Sequence, residues 1–199
     1  MAAKTRVTVS NFRMQDSERN WGTVLPVDVY SSTTLIDTLR AAVTHEAGHF
    51  VAANFLAIPV TKVEILGDGD HVDGFTSADV ARAGLVDWVA TLMAGRIAEK
   101  TILGYLGAQR PHAGSDEEQI AEAIARTTRS QQVTAMAEQR ARMLVRAHRP
   151  AIVAVGIALL DRALAAGGPW APFEISVSGE ELAELLGGSD TALLLRRAV

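Results

Sequence analysis

The pentapeptide His45-Glu46-Ala47-Gly48-His49 constrains this chain more than any other stretch. It lies in a run, Thr33 to Leu56, that reads as a helix. Two histidines four apart on a helix stand one turn above the other on the same face. That spacing lets two imidazole nitrogens grip one metal ion. The glutamate between them sits about 100° round the helix, near enough to reach a water molecule on that ion. The rest of the chain must supply a third ligand, a place for substrate and a frame.

Composition narrows the frame. At 199 residues a single domain is the expectation, with room for an appendage and a core that needs no staples. Aromatic residues are only 5%, so the core must be built from Ala, Leu, Val and Ile, which favours packed helices. A net charge of −4 argues against a nucleic-acid partner, which needs a clustered basic face. The absence of cysteine excludes disulfides and thiolate metal sites, and fits a reducing, cytoplasmic setting. Met1 to Asn20 lacks the apolar centre of a signal peptide. The longest apolar run, Ala151 to Leu160, falls short of the roughly 20 residues that cross a bilayer, so no membrane span is expected.

Along the chain, Lys4 to Asn11 reads as a short strand or extended arm, and residues 12–32 are irregular. Ser32, Thr33 or Thr34 can cap the first long helix. Leu35, Leu39, Ala42, Val43 and Phe50 give that helix an apolar side; Ala41, His45, Gly48, His49 and Ala52 give it a small-residue side. Gly48 costs about 1 kcal/mol relative to Ala, so it is expected to make room for a close neighbour or a substrate backbone. Val60 to Leu66 reads as a strand with Val63 and Ile65 on one face, and Val72 to Thr76 as its return in a hairpin. An exposed edge there could accept an extended peptide; a strand buried on both sides could not.

Ser77 is the expected cap of the next helix, whose stripe Leu85, Trp88, Val89, Leu92, Met93 and Ile97 faces the core and which stops at Gly104. On it Arg96 and Glu99 read as a surface or interface ion pair. Ser115 and Glu118 form a capping box for a helix carrying Ile120, Ile124 and Thr127 inward. Asp116 shares that inward stripe, and a buried acid needs a partner. Further helices follow at 131–148 and 151–166, the first marked by Met136, Ala137, Arg140, Met143 and Leu144. Residues 173–177 are extended, and Ser178 with Glu181 starts a short last helix.

A catalytic zinc takes three protein ligands and leaves a fourth position open. Without cysteine the third ligand must come from His71, His112, His148 or the acids. Asp116 is the best of these: it starts a helix, faces inward and follows a glycine-containing loop. His112 is its rival, and His148 reads as a surface residue at a helix end.

With these residues in place, the chain resembles the FtsH-type zinc proteases. His45-Glu46-Ala47-Gly48-His49 resembles that family's metal motif, Leu92-Met93-Ala94-Gly95-Arg96-Ile97-Ala98-Glu99 its following helix, and Ala113-Gly114-Ser115-Asp116 the loop leading to an aspartate ligand. The likeness covers roughly residues 33–130 and extends weakly through Arg140-Ala141-Arg142-Met143-Leu144. It implies a mainly α fold: a helical zinc-peptidase domain with a small β-hairpin or sheet beside the metal-binding helix. Residues 1–32 would be an N-terminal arm and 33–199 the peptidase domain.

The resemblance also implies one zinc ion per chain held by His45, His49 and Asp116, Glu46 as general base, and a peptide bound along the strand near Val63 to Ile65. The family carries an ATPase module and membrane helices. This chain has neither, and no Gly-Lys pair from which an ATP site could be made. Gly67 to Phe75 departs from the family pattern, and Ala94 stands where it usually shows a glycine.

The expected activity is endopeptidase cleavage of unfolded or flexible polypeptides without ATP hydrolysis by the chain itself. The expected partners are a polypeptide substrate, a separate ATPase or adaptor, and further copies of the chain in a homo-oligomer. Tyr105, His71 and His112 are the candidates for holding the oxyanion. The alternative is a catalytically silent helical module that acts by binding a partner protein.

Overall fold

The computed structural model describes residues 7–9, 32–69, 71–104 and 115–187. The described elements run β1 (Val7–Val9), α1 (Ser32–Phe55), β2 (Val60–Gly67), β3 (Val72–Ala78), α2 (Leu85–Ile102), α3 (Asp116–Ala125), α4 (Ser130–Ala147), α5 (Arg149–Ala165), β4 (Phe173–Ser178) and α6 (Gly179–Gly187). The fold is mainly α with a small antiparallel sheet, as expected. Most of the N-terminal arm, and the loop with Tyr105 and His112, lie outside the described residues.

Helix α1 is the axis of the fold. Residues 41–53 are buried without interruption, so this helix is enclosed on every side rather than amphipathic. Its small-residue side meets α2: a Cβ built on Gly48 would stand 2.8 Å from the Ala94 carbonyl oxygen and 2.8 Å from Ala98 Cβ. Gly48 therefore serves a close neighbouring helix. The opposite side packs Leu39, Val43, Ala47 and Phe50 into a core shared with Ile152, Val155 and Leu159 of α5. A second cluster joins α2, α3 and α4 through Val89, Ala90, Ala123, Ala137 and Ala141. These alanines fulfil the expectation of a core with few aromatics.

Strands β2, β3 and β4 form the antiparallel body of the sheet, and β1 adds a short edge strand, in the order β1-β3-β2-β4. Val63 lies opposite both Thr76 and Val177, and Ile65 opposite both Gly74 and Ile175. Residues paired in this way share a face. All six are buried, so that face is the one laid on the core.

Three expectations need correction. Ser77 is not a helix cap but part of β3, because the hairpin continues to Ala78; α2 begins at Leu85 after Gly84. Strand β2 has β3 on one side and β4 on the other, so Val63 to Ile65 offers no free edge to a peptide. Extended residues 173–177 could not be assigned a partner from pattern alone, and they are what fills that edge. On α4 the inward stripe is Ala137, Ala141 and Val145, while Met136 and Met143 are exposed and Arg140 Nε reaches Asp87 Oδ1 at 3.0 Å. His148 ends α4 half-buried at the surface, as expected, and stacks on the exposed Phe55 with ring centroids 3.5 Å apart.

Candidate metal centre

Two elements bring three side chains to one point. His45 and His49 project from adjacent turns of α1. Asp116 is the first residue of α3, where Ser115 Oγ accepts a hydrogen bond from the Glu118 amide and fixes the start of the helix. A carboxylate in that first turn is also favoured by the helix dipole. Asp116 Oδ2 lies 2.9 Å from His45 Nε2 and 3.1 Å from His49 Nε2. Tetrahedral ligands at ordinary zinc distances stand about 3.3 Å apart. All three residues are buried, and together they form a group that could hold a metal ion.

The other ring nitrogens show which atoms face that point. His49 Nδ1 lies 2.8 Å from the Thr91 carbonyl oxygen. A carbonyl can only accept, so Nδ1 carries the hydrogen and Nε2 presents a lone pair. His45 Nδ1 lies 2.5 Å from Glu99 Oε1, which sets the same tautomer. With both imidazoles neutral, two nitrogen lone pairs and a carboxylate converge there; in the metal-free protein a proton on His45 Nε2 is shared with Asp116 Oδ2 at 2.9 Å. His49 Nε2 and Asp116 Oδ1 are buried and make no hydrogen bond. A cation satisfies such a set; a proton satisfies it in part.

The electrostatics favour a positive charge at that point, whether a proton or a cation. Burial pulls the His45 pKa down, yet hydrogen bonds and charge from Asp116 and Glu99 outweigh it and hold the value well above the ordinary histidine range. Burial pushes Asp116 up, but the adjoining imidazoles of His49 and His45 outweigh it and hold the carboxyl far below the usual carboxylate range. Glu46 goes the other way: burial raises it, against the lowering effect of His49, His45 and Thr76. Two of the three acids and bases here are thus tuned toward charge and one away from it.

Glu46 has its own setting. Thr76 Oγ1 donates to Glu46 Oε2 at 2.8 Å, and Gly74 lies against the same carboxylate. A Cβ on Gly74 would stand 2.6 Å from Glu46 Cγ. Strand β3 therefore backs the glutamate while α2 and α3 back the metal ligands.

The structure brings together His45, Glu46, His49 and Asp116 as expected. It sets His71 apart in the hairpin turn, its backbone amide donating to Asp68 Oδ1 at 2.7 Å. Glu99 is the main correction: it is fully buried and bound to His45, while Arg96 Nη1 pairs with Glu117 Oε1 at 3.2 Å. Thr76, Gly74 and Gly95 were also missed. Thr91, Gly95 and Glu99 recur every four residues on α2 and so share one face, but only the packing of α1 on that face shows it to be buried.

No family model matches this chain, and no curated protein matches it.

Proposed function

We propose that this chain is a zinc-dependent endopeptidase of the FtsH type, acting on unfolded or flexible polypeptides without hydrolysing ATP itself. The observation that carries this reading is the convergence of His45 Nε2, His49 Nε2 and Asp116 Oδ2 beside the buried carboxylate of Glu46. Zinc in that position supplies Lewis acidity toward a carbonyl and makes water a nucleophile near neutral pH.

Glu46 takes the proton from the attacking water and returns it to the leaving amine. Its burial-raised pKa brings it closer to the range in which a group can do both. Thr76 fixes the carboxylate by its Oε2, and Glu99 and the Thr91 carbonyl hold the imidazoles in the metal-binding tautomer. Since β2 is paired on both sides, an extended substrate belongs on β3, along the outer edge at Val72–Phe75 next to Glu46. Delivery by a separate ATPase or adaptor, a homo-oligomeric state and a cytoplasmic location are parts of the same reading.

The test is cleavage of unstructured casein by the purified protein, with zinc and with a chelator. Cleavage that needs zinc and disappears in Glu46→Gln, while that variant keeps its metal, supports the peptidase. Near-complete burial of all three ligands, at 2%, 0% and 5% exposure for His45, His49 and Asp116, favours a second reading. In it the site is a closed structural centre in a module that binds a partner protein. Zinc occupancy without cleavage, and with wild type and Glu46→Gln alike, fits that reading instead.

A further inference from the structure

We propose that the N-terminal strand β1 is an intramolecular occupant of the β3 edge, so that the chain's own arm competes with substrate for the path past Glu46. The inference rests on the peptidase reading for its consequence, but the contact that motivates it is in the fold itself. Strand β1 pairs antiparallel with β3 in the register Val7–Ala78, Thr8–Ser77 and Val9–Thr76. Thr76 is the residue whose hydroxyl holds Glu46. The last residue of β1 is therefore directly across from the residue that fixes the proposed base.

Direction matters as much as position. Because the pairing is antiparallel, β1 runs from Val7 to Val9 toward the Phe75 and Gly74 end of β3. Gly74 is two residues along that edge and lies against the Glu46 carboxylate. Among the described residues no strand pairs with the outer side of Val72–Phe75. The edge is thus one continuous track, part filled by β1 and part running past the candidate site. The sheet's opposite edge, on β4, is two strands away from β3 and cannot serve the same glutamate.

Strand addition is driven by main-chain hydrogen bonds, so a tethered segment and a free substrate use the same donors and acceptors. Tethering sets an effective concentration in the millimolar range for a flexible linker. A weak intrinsic contact is then enough to raise the apparent KM of a peptide roughly 2- to 10-fold.

The test opens β1 in the full chain. Proline at all three positions (Val7→Pro, Thr8→Pro, Val9→Pro) removes the ladder donors, and none of these residues is in the metal site. Two readouts are used: hydrolysis of an extended fluorogenic peptide, and binding of a fluorescein-labelled peptide of residues 4–13 to chains that also carry Glu46→Gln. The expected result is a lower KM with kcat unchanged, and peptide binding that is several-fold tighter in the proline variant. Amide exchange at Thr76–Ala78 should speed up. Equal KM and equal peptide binding in both chains would overturn the inference, as would a labelled peptide that fails to bind the opened chain. If no chain cleaves anything but the opened chain binds the peptide more tightly, the edge competition stands and the peptidase reading falls.

Discussion

Glu99 Oε1 and His45 Nδ1 meet at 2.5 Å across 54 residues of sequence, both fully enclosed between α1 and α2. A buried carboxylate on the far nitrogen of an imidazole fixes its tautomer and makes the near nitrogen more basic. Loss of such a partner typically weakens metal binding 10- to 100-fold. Glu99→Ala should show that loss by competition with a zinc chelator. It should also cost the metal-free protein about 3 kcal/mol, because His45 loses one of its two buried carboxylate partners. Glu99→Gln, which keeps an accepting oxygen but no charge, should fall between. Wild-type zinc affinity in Glu99→Ala would remove Glu99 from the site.

Two glycines separate binding from chemistry. A Cβ on Gly95 would stand 2.5 Å from His49 Nε2 and 2.7 Å from His45 Nε2, in the space between the ligands. The three atoms nearest a Cβ on Gly74 all belong to Glu46. Gly95→Ala should therefore abolish zinc binding, and Gly74→Ala should retain it while losing most peptide cleavage. Each should cost about 1–3 kcal/mol in stability from overpacking. Zinc content by native mass spectrometry, read beside casein cleavage, checks both. Retained zinc in Gly95→Ala would mean that the ion, where present, sits elsewhere.

The contrast between these residues shows what could be read ahead of the structure. His45, His49 and Asp116 were legible because local rules place them: helical spacing for the pair, and a capping box that sets Asp116 at a helix start. The hairpin was legible from its alternation around Gly67–Asp68–Gly69. Glu99 was not, because a glutamate three residues from an arginine looks the same in sequence whether it is solvated or buried; only the α1–α2 contact at Gly48 decides. The pairing of β4 with β2 was illegible for a similar reason. It joins residues more than 100 positions apart, and no local propensity encodes it. That single non-local pairing also moved the expected peptide edge from β2 to β3.

Thr76 should act through Glu46 alone. Its hydroxyl lowers the Glu46 pKa, opposing the larger effect of burial. Thr76→Val keeps the shape and deletes the donor, so the Glu46 pKa should rise further. If Glu46 is the general base, the acid limb of the kcat/KM profile should move to higher pH, with zinc affinity unchanged. A profile that drops in height without moving would point to a packing role for Thr76.

Metal uptake should expel a proton, and its contribution to stability should grow with pH. In the metal-free state the raised His45 value keeps that imidazole charged at neutral pH, beside an ionised Asp116. The Asp116 part of this stabilisation is present above the ordinary aspartate value and is lost as pH falls toward its lowered folded value. The His45 part is complete below the ordinary histidine value of about 6.5 and is lost as pH rises through its raised folded value. The Glu46 part is complete below the ordinary glutamate value and is lost as pH rises through its raised folded value. The metal-free protein is therefore held together best in mildly acid solution.

A cation must displace the His45 proton, so binding weakens as pH falls and releases about one proton per ion near neutrality. Calorimetric titration of the apoprotein with zinc in two buffers of different ionisation enthalpy counts that proton. Thermal unfolding with and without zinc should then show a larger stabilising shift at pH 8 than at pH 6. Equal shifts at the two pH values, with no proton released, would mean that His45 does not exchange its proton for the ion.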